Sequence, residues 1–143
     1  MRTFTLAEAN RMLPRLESLL QAARKSNQEL KAVLERLQQI GHHVFLSGGS
    51  LLKLTSLWEL KQQRDEANGR LRAVLTEIDS LGVQVKDLEI GLLDFPCQVE
   101  GEIVLLCWKL GEPAIAYWHT VEAGFQGRQP IDDRISGSKP KPS

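Results

Sequence analysis

Residues 74–110 read VLTEIDSLGVQVKDLEIGLLDFPCQVEGEIVLLCWKL, and the spacing of their apolar residues changes at Gly82. Before this glycine, apolar residues recur every three or four positions, which is typical of one face of a helix. After it, apolar residues tend to recur at every second position, which is typical of strands. Glycine readily adopts the left-handed conformation that ends helices, so Gly82 is the predicted boundary. The stretch therefore predicts an α+β protein in which helices precede a small antiparallel sheet.

The N-terminal half predicts a long antiparallel helical hairpin. Thr5 and Glu8 form an S/T-x-x-E capping box, which predicts a helix from Leu6 to about Met12. Pro14 should kink this helix or begin a second one, and Gly41 should end it. A seam with the steps of three and four residues found in coiled coils runs through Leu16, Leu19, Ala23, Ser26, Leu30, Val33, Leu37 and Ile40.

A second seam follows residues 41–50, whose glycines and serines predict the turn of the hairpin. Its members are Leu57, Leu60, Arg64, Ala67, Leu71, Val74, Ile78 and Leu81. The apolar stripe is wider than a two-stranded coiled coil needs, because further apolar residues flank it at Leu20, Leu34, Trp58 and Leu75. A second copy would cover these flanks in a homodimeric four-helix bundle; alternatively, they pack within the monomer.

Four strands are predicted after the hairpin, at residues 83–88, 92–99, 102–110 and 114–121. Glu100 and Gly101 form a two-residue turn in which the glycine supplies a positive φ. The turns set the register, so Asp94 should lie opposite Cys107 and the next strand should bring His119 to the same face. The opposite face of this β-meander is apolar and should pack on the helical hairpin.

The face that carries Asp94 combines apolar side chains with groups able to do chemistry, whereas a face exposed to water is usually uniformly polar. The reactive or polar groups on it are Asp94, Cys107, Lys109, Tyr117 and His119. We therefore expect any functional site to lie on this face.

A divalent transition metal is one interpretation of this face. His119 and Glu122 have H-x-x-E spacing at the end of the last strand, and Asp94 lies one row away. Imidazole and carboxylate groups ligate Mn, Fe or Zn, so Asp94, His119 and Glu122 are the predicted ligands. Asp94, His119 and Glu112 are also the candidate catalytic acid–base groups. In the competing interpretation, His119 is a hydrogen-bonded structural residue and Cys107 a small buried apolar one.

Residues 124–130 (GFQGRQP) form a glycine-hinged loop that carries Arg128. The guanidinium could bind an anionic ligand through two parallel hydrogen bonds. Alternatively, it fastens the loop by pairing with Asp94, Glu112 or Glu122. The predicted ligand-binding residues are Arg128, Tyr117, Asp87 and Glu89.

Composition excludes several classes of function. The chain has 143 residues, with 18 basic and 18 acidic side chains, so it has no general attraction to nucleic acid or to anionic membranes. No apolar run approaches the roughly 20 residues that span a bilayer. The two cysteines have no CxxC spacing, which favours a reducing cytoplasm over a disulfide scaffold. We accordingly expect a cytoplasmic protein without nucleic-acid or membrane partners.

Several short motifs resemble a bacterial family, the domain-of-unknown-function family 2203. They are Phe4-Thr5-Leu6, Glu8-Ala9-Asn10, Leu13-Pro14, the runs 85–89 and 91–96, Leu106-Cys107-Trp108, Gly111-Glu112, Trp118-His119, Gly124-Phe125 and Gly127-Arg128. The resemblance implies a small cytoplasmic bacterial protein and brings no activity, substrate or cofactor with it.

The sequence predicts a single domain at residues 1–131, made of a hairpin (5–82), a meander (83–121) and the arginine loop (122–131). Residues 132–143 are predicted to be a polar, mobile tail. Two functions remain open at this point. The first is a non-catalytic homodimeric module that binds a partner or ligand. The alternative is a metal-dependent, hydrolase-like enzyme whose site lies on the mixed face of the meander.

Overall fold

The computed structural model describes residues 2–47 and 51–136, with side chains from 2 to 42 and from 54 to 135. Its helices are α1 (Leu6–Ser47), α2 (Leu51–Ser80) and α3 (Asp133–Ser136), with a 3-10 turn at Phe125–Gly127. Its strands are β1 (Gln84–Asp87), β2 (Leu92–Val99), β3 (Glu102–Lys109), β4 (Tyr117–Thr120) and β5 (Gln129–Pro130). The predicted α+β class, a long helical hairpin followed by an antiparallel sheet, is confirmed.

The helix α1 begins at the predicted capping box. Thr5 Oγ1 accepts a hydrogen bond from the Glu8 N–H, and Glu8 Oε1 accepts one from the Thr5 N–H. The backbone hydrogen bond from Thr5 lowers the pKa of the Glu8 carboxyl, because it stabilises the charged form. Two donors at the start of the helix are thereby satisfied.

A second helix beginning at Pro14, one of the two alternatives, and the predicted end at Gly41 are both wrong, since one helix continues through both residues. Proline removes a single backbone donor, and Pro14 lies on an exposed side of the helix where its ring needs no space in the core. Glycine inside a helix lowers helix stability by only about 1 kcal/mol relative to alanine, which is too little to end a long helix. Residues 41–47 of the predicted turn are thus helical, and its residues 48–50 lie outside the described residues.

The contacts divide the chain into two compact units. Unit 1 comprises Met1–Leu20 and Leu75–Ser143, and unit 2 comprises Gln21–Val74. In unit 1, Arg15 near the start of α1 pairs with Glu77 near the end of α2. In unit 2, Glu29 further along α1 pairs with Arg70 earlier in α2. This order of pairs shows that the helices are antiparallel.

Unit 2 consists of the two helices and buries a narrow seam. The buried seam residues are Ala23, Ser26, Val33, Leu60, Ala67 and Leu71. Leu34 and Leu54 are exposed, and Trp58 keeps 60% of its surface accessible. Leu20, predicted to share this flank, is instead fully buried in unit 1.

The sheet in unit 1 has the strand order β1-β2-β3-β4-β5, with every neighbouring pair antiparallel. The predicted register is confirmed: Asp94 lies opposite Cys107, and Leu105 lies opposite His119. The tight turn before β3 is also confirmed, although Glu100 (φ 52°) shares the left-handed conformation with Gly101 (φ 83°).

Two features of the sheet differ from prediction. The strand expected at 114–121 is shortened to Tyr117–Thr120. The Ile115 N–H donates a hydrogen bond of 2.9 Å to Asn10 Oδ1 on α1, so it is not available to pair with a neighbouring strand. A fifth strand, Gln129–Pro130, pairs with β4 where a loop was predicted. A bond to a distant helix and a two-residue strand both depend on tertiary contacts that no local pattern encodes.

The apolar face of the sheet packs on the start of α1. The rings of Phe4 and Phe95 meet edge to face with centroids 5.6 Å apart, and the Phe4 N–H donates to the Pro96 carbonyl. Gly91 has φ 73°, and a Cβ there would lie 2.6 Å from the Leu110 Cβ, so the backbone approaches too closely for another residue.

The beginning of the predicted polar tail is also ordered. Residues Asp133–Ser136 form α3, which buries Ile135 almost completely. One apolar side chain with a place in the core is enough to hold a short polar segment, which composition alone does not reveal. The remaining tail, residues 137–143, lies outside the described residues.

Candidate metal centre

Three polar side chains meet on the face of the sheet opposite to Phe95. Asp94 on β2 and Cys107 on β3 occupy the same row, and His119 on β4 lies one row away. Asp94 is 1% exposed and His119 2% exposed, and Cys107 is completely buried. Each offers one ligand atom, and these atoms lie within 4.8 Å of one another. We refer to Asp94, Cys107 and His119 as the Asp–Cys–His cluster.

The hydrogen bonds of His119 fix the positions of its protons. Nδ1 lies 2.8 Å from the Thr120 carbonyl oxygen, which only accepts, so Nδ1 carries a proton and donates it. Nε2 lies 3.1 Å from both carboxylate oxygens of Asp94, so one further proton lies between the two side chains. Burial raises the pKa of Asp94, while the charge of His119 opposes the rise.

Cys107 is a protonated thiol in this environment. Burial, followed by the nearby charge of Asp94, raises its pKa to about 11, and a hydrogen bond from Arg128 only partly opposes this. A catalytic cysteine needs a base that removes its proton, but both ring nitrogens of His119 are engaged with Thr120 and Asp94. The geometry therefore does not favour cysteine nucleophilic catalysis.

Arg128 is held between two aromatic rings. Its guanidinium carbon lies 4.0 Å from the centroid of the Tyr117 ring and 4.6 Å from that of Phe125. Its NH1 lies 3.4 Å from Glu112 Oε2, and Glu112 Oε1 also accepts a hydrogen bond from the Lys109 N–H. The ion pair that fastens the loop, one of the two alternatives for Arg128, is thus present. Glu112, a predicted acid–base group, is engaged with Arg128 and Lys109.

Other predicted site residues lie outside the cluster. Glu122 follows the end of β4, and its side chain is exposed. Among the described residues, the group that meets Asp94 and His119 is the Cys107 thiol rather than the Glu122 carboxylate. Asp87 Oδ1 accepts hydrogen bonds from the N–H groups of Glu89 and Ile90, which stabilises the turn after β1. Glu89 is exposed in this same turn.

Cys107 is not among the candidate metal ligands predicted from the sequence, although a signal is present. The predicted register already placed Cys107 opposite Asp94, which the structure confirms. A cysteine in a central strand is usually a small apolar residue, so its neighbour was the informative feature. A thiol directly beside a buried carboxylate and an imidazole is a potential ligand.

A cavity of about 470 Å³ opens over the cluster. Asp94 and His119 of the cluster line this cavity with their buried side chains, and the exposed Lys86 lines it as well; Cys107 does not. The other lining residues are largely apolar and include Val121 and Phe125 from the segment after β4. The buried cluster thus faces a space of the size that binds small molecules.

Fold and site together define an α+β protein whose antiparallel sheet carries a buried Asp–Cys–His cluster beneath a cavity. The chain belongs to the family described as Uncharacterized conserved protein (DUF2203), whose model matches residues 2–131. Neither the curated proteins nor the solved structures gave a match. Among the described helices, none has the length and apolar character required to cross a membrane.

Proposed function

We propose that this protein binds a divalent transition metal, with zinc as the best-fitting ion, through Asp94, Cys107 and His119. The observation that carries the proposal is the convergence of three different ligand types, all buried, from three adjacent strands to within 4.8 Å. Zinc is characteristically bound by cysteine sulfur, histidine nitrogen and carboxylate oxygen. A thiolate ligand favours zinc over magnesium or calcium, which prefer oxygen.

The hydrogen bonds around His119 also suit a metal ligand. Metal-binding histidines usually donate their second N–H to a carbonyl or carboxylate, which orients the ring. The bond from Nδ1 to the Thr120 carbonyl does this and leaves Nε2 directed at the cluster. In a tetrahedral zinc site, ligand atoms lie about 3.3–3.8 Å apart, given bonds of about 2.0–2.3 Å. Small side-chain movements would therefore seat the ion.

Three protein ligands leave one coordination position for water or substrate, as in catalytic zinc sites. Because Asp94 and His119 line the cavity, this position would face it. A metal there would activate water or polarise a carbonyl, so metal-assisted hydrolysis is the reaction class that the site supports.

Neither cysteine forms a disulfide bond, which supports a location in the reducing cytoplasm.

The two cysteines provide a matched test of metal binding. Cys97 and Cys107 are both buried, but only Cys107 is in the cluster. We expect zinc titration by calorimetry to give one ion per chain for the unmodified protein and for Cys97→Ala, and strongly weakened binding for Cys107→Ala. Cobalt should add a sulfur-to-metal absorption band in the first two proteins. The proposal fails if the unmodified protein binds no ion, or if Cys107→Ala retains both stoichiometry and affinity.

A homodimer is a second candidate function, favoured by the exposed apolar side chains of unit 2. Trp58 keeps 60% of its surface accessible, and Leu54 on the same helix and Leu34 on α1 are also exposed. A dimer that brings these side chains together would remove their apolar surface from water. Leu20 is buried and cannot contribute.

Light scattering tests this second candidate. Trp58→Glu should reduce a dimeric mass to that of the 16.1 kDa monomer. Val121→Glu is the matched control, because Val121 is equally exposed but lies in unit 1. A monomeric mass for the unmodified protein, or a dimer that survives Trp58→Glu, would exclude this interface.

A further inference from the structure

Three exposed apolar side chains lie around the cavity over the cluster. Ile90, Val121 and Phe125 line the cavity, and each remains substantially exposed. In the described part of unit 1, these three are the large apolar side chains with the greatest exposure. Exposed apolar groups gathered around one cavity mark a place where an apolar ligand body is removed from water.

Other groups that line the cavity have the opposite character. Asp94 and His119 are buried polar groups, and Lys86 contributes an ammonium group. The charge of Lys86 acts on Asp94, and none of the ion pairs among the described residues includes Lys86. Asp87 beside it directs a carboxylate oxygen to two backbone N–H groups.

We infer that the cavity binds a small carboxylate with an apolar tail, whose head lies between the metal and Lys86. This inference rests on the proposed metal site. Bound zinc would be neutralised by the charges of Asp94 and the Cys107 thiolate. Asp87 also lines the cavity, but its Oδ1 accepts two backbone N–H groups of the turn, so Lys86 is the lining group that can pair with an anion. An anionic head satisfies both the open coordination position and the ammonium group, while the tail contacts Val121 and Phe125.

The test uses zinc-loaded protein and a series of straight-chain carboxylates: acetate, butyrate, hexanoate and octanoate. Calorimetry should show affinity that rises about threefold to fourfold per added methylene, the usual effect of burying this group. Primary amines of the same lengths should bind at least tenfold more weakly, because their charge opposes that of Lys86. The zinc content of each sample is measured separately.

Variants separate the two ends of the ligand. Phe125→Ser and Val121→Ser should flatten the dependence on chain length, whereas Leu54→Ser, an exposed apolar position in unit 2, should not. Lys86→Gln should lower the affinity for every carboxylate of the series by about twofold to fivefold, as expected for the loss of an exposed ion pair. Lys109→Gln is the control, because Lys109 is exposed on β3 and does not line the cavity.

The outcomes distinguish this inference from the proposed function. If zinc binds but affinity does not depend on chain length, or amines bind as well as carboxylates, the carboxylate inference is wrong and the metal site stands. If zinc-free protein binds the series equally well, the head is not held by metal, and the inference is again wrong. If zinc does not bind, both proposals fail together.

Discussion

The two faces of the sheet both bury side chains, yet those side chains differ in chemistry. The face against α1 carries Phe95, which meets Phe4 edge to face. The other face buries Asp94 and His119 to the same extent. Burial of apolar groups stabilises a fold, whereas buried polar groups cost free energy unless they are well paired. The first face therefore explains why the protein folds, and the second holds the candidate site.

The largest expected effect is on the apolar face. Phe95→Ala should lower the free energy of unfolding by about 3–5 kcal/mol, because it removes a fully buried aromatic ring and leaves a cavity. Urea denaturation measures this loss. A loss below about 1 kcal/mol would mean that this face is not the centre of the core.

Zinc should act on the second face. At a free zinc concentration one hundred times Kd, the free energy of unfolding should rise by about 2.7 kcal/mol, since the ion binds the folded state. Thermal or urea denaturation with and without zinc measures the gain, which Cys97→Ala should retain and Cys107→Ala should lose. An equal gain in both variants would place the ion elsewhere.

The pH dependence of zinc affinity should reveal the protons of the cluster. The pKa of Cys107 is about 11, so its thiol must lose a proton on binding at neutral pH. The proton between Asp94 and His119 must leave as well. Apparent affinity should therefore fall about 100-fold for each pH unit of acidification, at about tenfold per displaced proton.

The matched variant for this prediction is Cys107→Ser, which removes the thiol proton. This variant should bind zinc more weakly, and its apparent affinity should fall about tenfold for each pH unit of acidification. Calorimetry in buffers of different ionisation enthalpy counts the released protons directly. Release of fewer than two protons by the unmodified protein near pH 7 would contradict the shared proton.

The smallest effect concerns the helix start that packs on the apolar face. Thr5→Ala should lower the free energy of unfolding by about 1 kcal/mol, because it removes the oxygen that caps α1.

The pKa of Glu8 is lowered in the folded state, so the stabilisation from its charge is present at neutral pH and is lost as pH falls through the folded pKa. Denaturation at pH 7 and pH 3 should show a smaller difference in Glu8→Gln than in the unmodified protein.

The site was partly predictable because a two-residue turn fixes the register of a β-hairpin. Glu100 and Gly101 brought Asp94 opposite Cys107, and the next strand added His119. H-x-x-E spacing points to Glu122 as the third ligand, whereas in the structure Cys107 lies beside Asp94 and His119 and the Glu122 side chain is exposed. The pairing of Arg128 with Glu112 joins residues sixteen positions apart and depended on how the loop folds back.

The sequence by itself determined the order of elements: a capped helical hairpin, a stop at Gly82 and an alternating antiparallel meander. These features follow from backbone preferences and from the periods of helix and strand, which act between near neighbours. Tertiary structure decided that α1 continues through Pro14 and Gly41, that Ile135 is buried, and that Cys107 completes the cluster. The physical reason is that burial and hydrogen bonding between distant segments outweigh local preferences of about 1 kcal/mol.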